Sequence, residues 1–267
     1  MGKHFTRGFT IIETMLVLAI TGMLVAGLFI GVGSSVNTQR YKDAVVTFKS
    51  FIQSQYSQVS DVTNTRGKGW TCDASATTTV APNDEGIAPG QSDCVILGRY
   101  VSVVGGDIAS AVVVGHPNSS SATGTDIEIL KDNYTLGIST SSIETSTLEW
   151  GAQIAWPESG AGSRDPAQSR SISILVIRSP ESGITYTLTN DTAVDIKEVS
   201  SVALENMFEE SPSAISPQSA RTICIDPNGV SVPEKLAVYI GQSADSASAI
   251  EVRSALLIEQ SGGDSKC

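Results

Sequence analysis

A long apolar run stands near the start of this chain. Residues 9–33 contain a single charged side chain, Glu13, and they follow a short leader, residues 1–8, that carries Lys3 and Arg7. A bilayer core of about 30 Å is crossed by roughly 20 apolar residues in a helix, so the run is long enough to span one. Basic residues favour the cytoplasmic side of a membrane. We therefore expect the leader to stay in the cytoplasm and the remainder of the chain to lie outside.

The next segment, residues 34–62, has apolar residues on one helical face only. Their spacings of three, four and seven residues place them in one stripe, which consists of Tyr41, Val45, Phe48, Ile52, Val59 and Val62. We predict a continuous helix of about 50 residues, some 80 Å long at 1.5 Å per residue, whose second half is covered by a sheet. A free coiled coil could use the same stripe, but about two and a half heptads are too few to favour one.

The rest of the chain, residues 63–267, alternates strand-like runs with turn residues. Two of these runs, 171–178 and 184–189, flank a turn with proline early and glycine late and predict a hairpin. Asp226-Pro-Asn-Gly predicts a second tight turn. The other strand-like runs cover residues 94–104, 110–114, 125–130, 148–156, 220–225, 235–240 and 250–258. Together with the helix they predict an α+β protein.

Glu13 and Gly8 distinguish the apolar run from a plain membrane anchor. A carboxylate on a spanning helix costs about 2.5 kcal/mol or more and usually has a partner, although a position near the start of the run also suits the membrane interface. In a secretory signal, cleavage follows the apolar region. Here the small residue that suits a peptidase, Gly8, precedes that region, so cleavage would leave the apolar helix on the mature chain.

The segment from Gly8 to Glu13, between its basic leader and its apolar continuation, resembles type IV pilins and the pseudopilins of type II secretion and competence systems. The resemblance implies that a prepilin peptidase cuts between Gly8 and Phe9 and methylates the new amine of Phe9. It also implies that Glu13 pairs with this amine on a neighbouring subunit, which is physically reasonable because a buried charge is tolerated when it is paired.

The same resemblance predicts the fold, the partners and the location. The fold is a long N-terminal helix packed on an antiparallel sheet. The partners are other pilin or pseudopilin subunits, the prepilin peptidase, the inner-membrane assembly platform and, before assembly, the lipid bilayer. The location is the cytoplasmic membrane, crossed once with the N-terminus in the cytoplasm, and afterwards a periplasmic or extracellular filament.

Two alternatives to a filament subunit remain from the sequence. One is a membrane-tethered extracytoplasmic binding protein that never polymerises, and the other is a membrane-held enzyme. Against an enzyme, only His116 would remain after the leader is removed, and it precedes a proline in a Ser-rich stretch. Within the filament interpretation a minor subunit is favoured, because residues 9–33 lack the proline common in major pilins and the outer part is large for a main repeat.

Charge and composition disfavour nucleic acid, metal and cofactor binding. The formal net charge of −11 becomes −13 when Lys3 and Arg7 leave with the leader, and such a surface repels phosphates. The nearest basic cluster is Arg66 and Lys68. Possible calcium ligands, Asp191, Asp195, Asp226 and Asn228, lack the spacing of a known calcium loop and suit turns better. We expect no cofactor.

The four cysteines, Cys72, Cys94, Cys224 and Cys267, all lie beyond the apolar run. On the outer side of the membrane thiols tend to be oxidised. Four cysteines allow three pairings, and the sequence does not choose among them. We favour Cys72–Cys94 and Cys224–Cys267, since each closes a local loop and the second fastens the chain's C-terminal segment.

Overall fold

One long helix, α1 (Ile11–Ser60), opens the part of the chain that the computed structural model describes, which comprises residues 10–61, 70–80, 92–118, 120, 123–159, 169–209, 216–254 and 265–267. Thr10 caps the helix, because its hydroxyl oxygen accepts a hydrogen bond from the backbone N–H of Glu13 at 3.3 Å. Such an N-cap satisfies one of the free donors at a helix start. The helix continues without a break from the apolar run into the amphipathic segment, as the sequence predicts, and ends two residues before the predicted boundary.

Antiparallel strands make up most of the remaining chain. The elements are β1 (Trp70–Cys72), β2 (Thr78–Val80), β3 (Val95–Val104), β4 (Asp107–Pro117), α2 (Asp126–Asp132), β5 (Tyr134–Ile138), β6 (Glu144–Thr147), β7 (Gln153–Ala155), β8 (Glu158–Ser159), β9 (Ser171–Arg178), β10 (Thr185–Asn190), α3 (Ser201–Glu205), β11 (Arg221–Asp226), β12 (Leu236–Ile240), β13 (Ile250–Ser254) and β14 (Ser265–Lys266). A six-stranded sheet has the order β10-β9-β3-β4-β5, with β6 also paired to β4, and a four-stranded sheet has the order β13-β12-β11-β7. In the described part of the chain, two small ribbons, β1–β2 and β8–β14, complete the pairing.

The main core lies between the second half of α1 and both large sheets. The helical stripe supplies Tyr41, Val45, Phe48, Ile52 and Val59, all buried, so its predicted burial is confirmed except at Val62, which lies outside the described residues. From the sheets come alternate strand residues, because successive side chains point to opposite faces: Val101, Val103, Ile172, Ile174, Val176, Ile223, Ile225, Val238, Ile240 and Ile250.

The six-stranded sheet is covered on its other face as well. Leu175 and Ile177 of β9 point away from α1 and pack with Leu130 of α2 and Leu204 of α3. A strand buried on both faces reads as a nearly continuous apolar run, which is why β9 was predictable from its sequence. The α+β class and the antiparallel sheet on a long helix are confirmed.

Two predicted strands are wrong in whole or in part. Residues 125–130 form helix α2, started by a capping box in which Thr125 accepts from the backbone of Glu128 and the Glu128 carboxylate accepts from the backbone of Thr125. This reciprocal pair is a helix-start signature and outweighs the short apolar run. In the predicted strand 148–156 only Gln153–Ala155 is a strand, because a 3-10 turn at Glu149–Gly151 precedes it.

The observed boundaries of other strands differ from the predicted ones because of strand pairing. The predicted strand 110–114 extends to Asp107–Pro117, since three other strands pair along β4. The predicted hairpin is β9–β10, with Thr185 opposite Arg178. The Asp-Pro-Asn-Gly turn is present too: Asn228 and Gly229 have φ of 50° and 85°, the pair of positive values that defines a type I′ turn.

Candidate functional site

The first half of α1 is an apolar rod that no other described part of the chain covers. Every described side chain from Ile11 to Val36 is exposed, and none of its 18-residue apolar window is buried. These 26 residues extend about 39 Å at 1.5 Å per residue, compared with about 30 Å for a bilayer core. By length and composition this helix can cross a membrane.

Two threonine hydroxyls on this rod are satisfied by the helix itself. The Thr14 hydroxyl donates to the carbonyl oxygen of Ile11 at 2.8 Å, and the Thr21 hydroxyl donates to that of Val17 at 2.8 Å. A hydroxyl that bonds its own helix adds little cost in an apolar environment. Glu13 is the one charged side chain among the described residues of the rod, and a charge in apolar surroundings needs an external partner.

Glu13 lies in the first turn of α1 and is exposed. The positive end of the helix dipole stabilises a carboxylate at that place by about 0.3–1 kcal/mol. In the described part of the chain no cation forms a salt bridge with it. Gly8 and Phe9, the residues of the predicted cleavage site, lie outside the described residues.

The second half of α1 is fixed to the sheets by buried polar contacts. The Tyr41 hydroxyl donates to the carbonyl oxygen of Ile225 at 2.8 Å and accepts from the backbone N–H of Leu236 at 2.6 Å. The Tyr56 hydroxyl lies 2.7 Å from that of Thr187. Burial raises the pKa of Tyr41 to about 12 and that of Tyr56 to about 12 as well, because the phenolate would lose its hydration.

A guanidinium adds a third polar contact between helix and sheet. Arg99 on β3 donates from Nε to the amide oxygen of Gln55 at 2.9 Å, and from Nη2 to the hydroxyl of Ser110 at 3.1 Å and to Glu144 at 3.3 Å. Both Gln55 and Arg99 are buried. Since a buried donor or acceptor without a partner costs about 1–3 kcal/mol, these contacts fix the position of α1 on the sheet. Gln55 was not predictable from the sequence, because a polar residue on an amphipathic helix carries no signal for burial.

Where α1 emerges from the sheets, an exposed tryptophan lies beside it. The guanidinium carbon of Arg40 stands 4.6 Å from the ring centre of Trp150, within the range of a cation–π contact. Trp150 is 57% exposed and has φ of 59°. The sequence placed it in a strand, and its Trp-Gly pair was the only local sign of a turn.

Three of the candidate calcium ligands each bind a different partner within the protein. Asp191 pairs with Arg170, and Asp226 pairs with Lys235 at 3.4 Å. Asp195 accepts from the backbone of Lys197, as expected for a turn residue. Among the described residues no group of three or more His, Cys, Asp or Glu could hold a metal ion. Arg66 and Lys68 lie outside the described residues.

Two disulfides join the pairs that local loop closure favoured. Cys72–Cys94 has Cα atoms 6.0 Å apart and fastens the β1–β2 ribbon to the start of β3. Cys224–Cys267 has Cα atoms 5.5 Å apart and packs with Ala155 and Ala237. It lies on the face of the four-stranded sheet that points away from α1, since Ile223 and Ile225, the neighbours of Cys224, belong to the main core.

Comparison with known proteins agrees with the N-terminal pattern. Residues 4–29 match the family model described as the prokaryotic N-terminal methylation motif, and the matched range contains Gly8, Phe9 and Glu13. No curated protein and no solved structure matches the chain. The chain thus carries the type IV pilin and pseudopilin signature at the head of an α+β, pilin-like fold.

Proposed function

We propose that this protein is a structural subunit, and more specifically a minor one, of a type IV pilus or of a type II secretion or competence pseudopilus. A prepilin peptidase processes it, and it assembles through the exposed half of α1. The observation that carries the proposal is that half of the helix: an apolar rod, exposed at every described side chain, which begins inside the range that matches the methylation motif.

The rod needs two different environments in turn. Burying one Leu, Ile or Met side chain is favourable by about 1.5–3 kcal/mol, and no part of the described chain supplies the burial. A bilayer covers such a rod in a newly made subunit, with the N-terminus in the cytoplasm. The rods of neighbouring subunits cover it in the filament, so transfer between the two exchanges one apolar environment for another.

Glu13 gives that transfer a direction. In the bilayer the carboxylate has no cationic partner among the described residues of its own chain. Cleavage between Gly8 and Phe9 creates an amine at Phe9, and a subunit already in the filament can present this amine to an incoming Glu13. The pairing removes the cost of an isolated charge in apolar surroundings. The inner-membrane assembly platform is the partner that brings the subunits together.

Three features support a minor rather than a main subunit. Residues 9–33 contain no proline, and the outer domain has two large sheets rather than one. The outer domain also carries long segments between its strands, which would crowd a dense helical array. Mass spectrometry of purified filaments separates the cases: a minor subunit is present at a small fraction of the main repeat.

Substitution of Glu13 tests the proposal. Glu13→Gln keeps the size and removes the charge, so we expect normal membrane insertion and reduced incorporation into filaments, and Glu13→Leu should do the same more strongly. The matched control is Thr21→Leu, which also adds an apolar group to the exposed rod but leaves the carboxylate in place. The measurement compares membrane-borne and filament-borne protein for each variant.

Intact mass of the same samples reports on processing. The processed parent should begin at methylated Phe9 and retain 259 of the 267 residues. If Glu13→Leu and the parent were incorporated into filaments equally well, the proposed charge pairing would be wrong. Absence of the processed parent from every filament would favour the membrane-tethered binding protein instead.

A further inference from the structure

The exposed Trp150 adopts a backbone conformation that its side chain disfavours. Its φ of 59° and ψ of 22° lie in the left-handed region, which costs about 1–2 kcal/mol for a residue with a Cβ atom. Bulky residues are rare there. Gly151 follows with φ of 72°. Glycine at position 150 as well would avoid the energetic cost. The protein instead presents a large ring to solvent at an energetic cost.

The position of Trp150 along α1 is set by its contacts. The ring lies over Arg40 and helps to line a groove that extends back to Asn37 and across to Val230. Val36, one residue before Asn37, is the last side chain of the exposed apolar rod. Arg40 is four residues further, or about 6 Å at 1.5 Å per residue. Helical side chains also tilt toward the N-terminus, which brings the guanidinium back toward the rod.

That position corresponds to the headgroup layer of a bilayer. The hydrocarbon core is about 30 Å thick and the whole bilayer about 40–45 Å, so each polar layer takes up about 5–8 Å. The rod of about 39 Å fits this core when the helix tilts by about 40°, within the range seen for spanning helices. The core then ends near Val36, and Arg40 and the ring beside it fall inside the polar layer. Tryptophan is enriched at that depth because its ring is apolar and its N–H can remain hydrated.

We propose that Trp150, supported by Arg40, is an interfacial anchor that rests the outer domain on the phospholipid headgroups before assembly. The inference depends on the proposed function, because it requires α1 to cross the membrane. In this pose the indole inserts among the headgroups, and the Arg40 guanidinium reaches lipid phosphate while it remains stacked beneath the ring.

Charge explains why an aromatic anchor is needed. The mature chain has a formal net charge of −13 after loss of Lys3 and Arg7, so an anionic lipid surface repels the outer domain as a whole. Next to Trp150, Glu149 adds a carboxylate, which accepts a hydrogen bond from Thr47 at 3.4 Å. The overall charge of the domain therefore does not attract it to a membrane, whereas insertion of an indole does not depend on the lipid charge.

Depth-dependent quenching tests this contact in the full-length chain. A variant with Trp150 as its sole tryptophan (Trp70→Phe with Trp156→Phe) is placed in neutral phosphatidylcholine vesicles containing lipids brominated either near the headgroup or near the chain end. We expect strong loss of fluorescence with shallow bromines and little with deep ones. The matched control retains Trp70 alone (Trp150→Phe with Trp156→Phe) and should be quenched by neither lipid.

Flotation of the vesicles separates this inference from the proposed function. If the protein floats with the vesicles and Trp150 is unquenched, the anchor is wrong while membrane insertion stands. If the protein does not float, the membrane stage fails and the anchor fails with it. If Trp150 is unquenched in vesicles and shifts to the blue only in assembled filaments, its partner is a neighbouring subunit, which also overturns the anchor.

Discussion

The two halves of α1 share one unbroken backbone and have opposite surroundings. From Ile11 to Val36 every described side chain is exposed, whereas between Tyr41 and Ser60 the apolar stripe is buried beneath two sheets. The first half is apolar on all faces and the second on one face. A domain attached at one end of a helix can bury a stripe of roughly 100°, but an all-round apolar surface requires an environment that encloses it. The first half is thus built for a lipid or helical environment, and the second half for its own domain.

Shortening a side chain in the buried stripe should give the largest change in stability. Phe48 is 1% exposed, and Phe48→Ala should lower the free energy of unfolding by about 3–5 kcal/mol through lost burial and a cavity. The control on the same helix is Val46→Ala, at a 53% exposed position, with an effect within about 0.5 kcal/mol. Chemical denaturation of the full chain in detergent measures both. Equal effects would show that the stripe does not hold the domain to the helix.

Removing the disulfides tests how the sheets around the second half are supported. Cys224–Cys267 closes a loop of 43 residues and Cys72–Cys94 one of 22, so the chain-entropy model assigns them about 4 and about 3 kcal/mol. Replacing both cysteines by serine should therefore lower the free energy of unfolding more at Cys224–Cys267 than at Cys72–Cys94. Non-reducing peptide mapping checks the pairing first, and a Cys72–Cys224 link would contradict this arrangement.

Raising the pH should loosen the second half of α1 in particular. Burial raises the pKa of Tyr41 and of Tyr56 from 10.0 to about 12, so the folded state holds these protons more tightly than the unfolded state does. Their contribution to stability is complete below pH 10 and is lost as the pH rises toward 12. Unfolding measured at several pH values should show the free energy falling across this window.

The tyrosine variants give that pH experiment its control. Tyr41→Phe should lower the free energy of unfolding by about 1–3 kcal/mol at neutral pH, because it removes the two hydrogen bonds of the hydroxyl to the backbone of Ile225 and Leu236, each worth about 0.5–1.5 kcal/mol. It should also flatten the decline above pH 10. A decline of unchanged steepness in Tyr41→Phe combined with Tyr56→Phe would assign the pH effect to other groups.

Shortening a side chain in the first half should give the smallest effect on folding. Leu24 is 63% exposed, so Leu24→Ala should leave the unfolding of the detergent-solubilised domain within about 0.5 kcal/mol of the parent. Its consequence should appear instead in filament incorporation, where neighbouring rods would lose contacts. A loss of domain stability comparable to that of Phe48→Ala would erase the distinction between the two halves.

Local patterns predicted more of this molecule than long-range ones. The stripe of α1, the β9–β10 hairpin and the turn at Asn228 were readable because each depends on residues close in sequence. The capping pair Thr125 and Glu128 is equally local. The sequence therefore contained the signal for a helix at residues 125–130, although the short apolar run there is typical of a strand. By contrast, β5 and β6 gave no clear strand pattern, since edge strands are defined by the partner that they join.

The sequence by itself determined that an apolar rod precedes an amphipathic helix, that the rod carries Glu13 behind a cleavable leader pattern, and that strands follow. Only the tertiary structure decided that the strands divide into two sheets around α1 and that α2 and α3 cover the second face. It also placed Trp150 beside Arg40. The physical reason is distance along the chain: the Tyr41 hydroxyl bonds a carbonyl 184 residues away. Contacts of that range follow from which surfaces can be buried together, and periodicity in a short window carries no record of that choice.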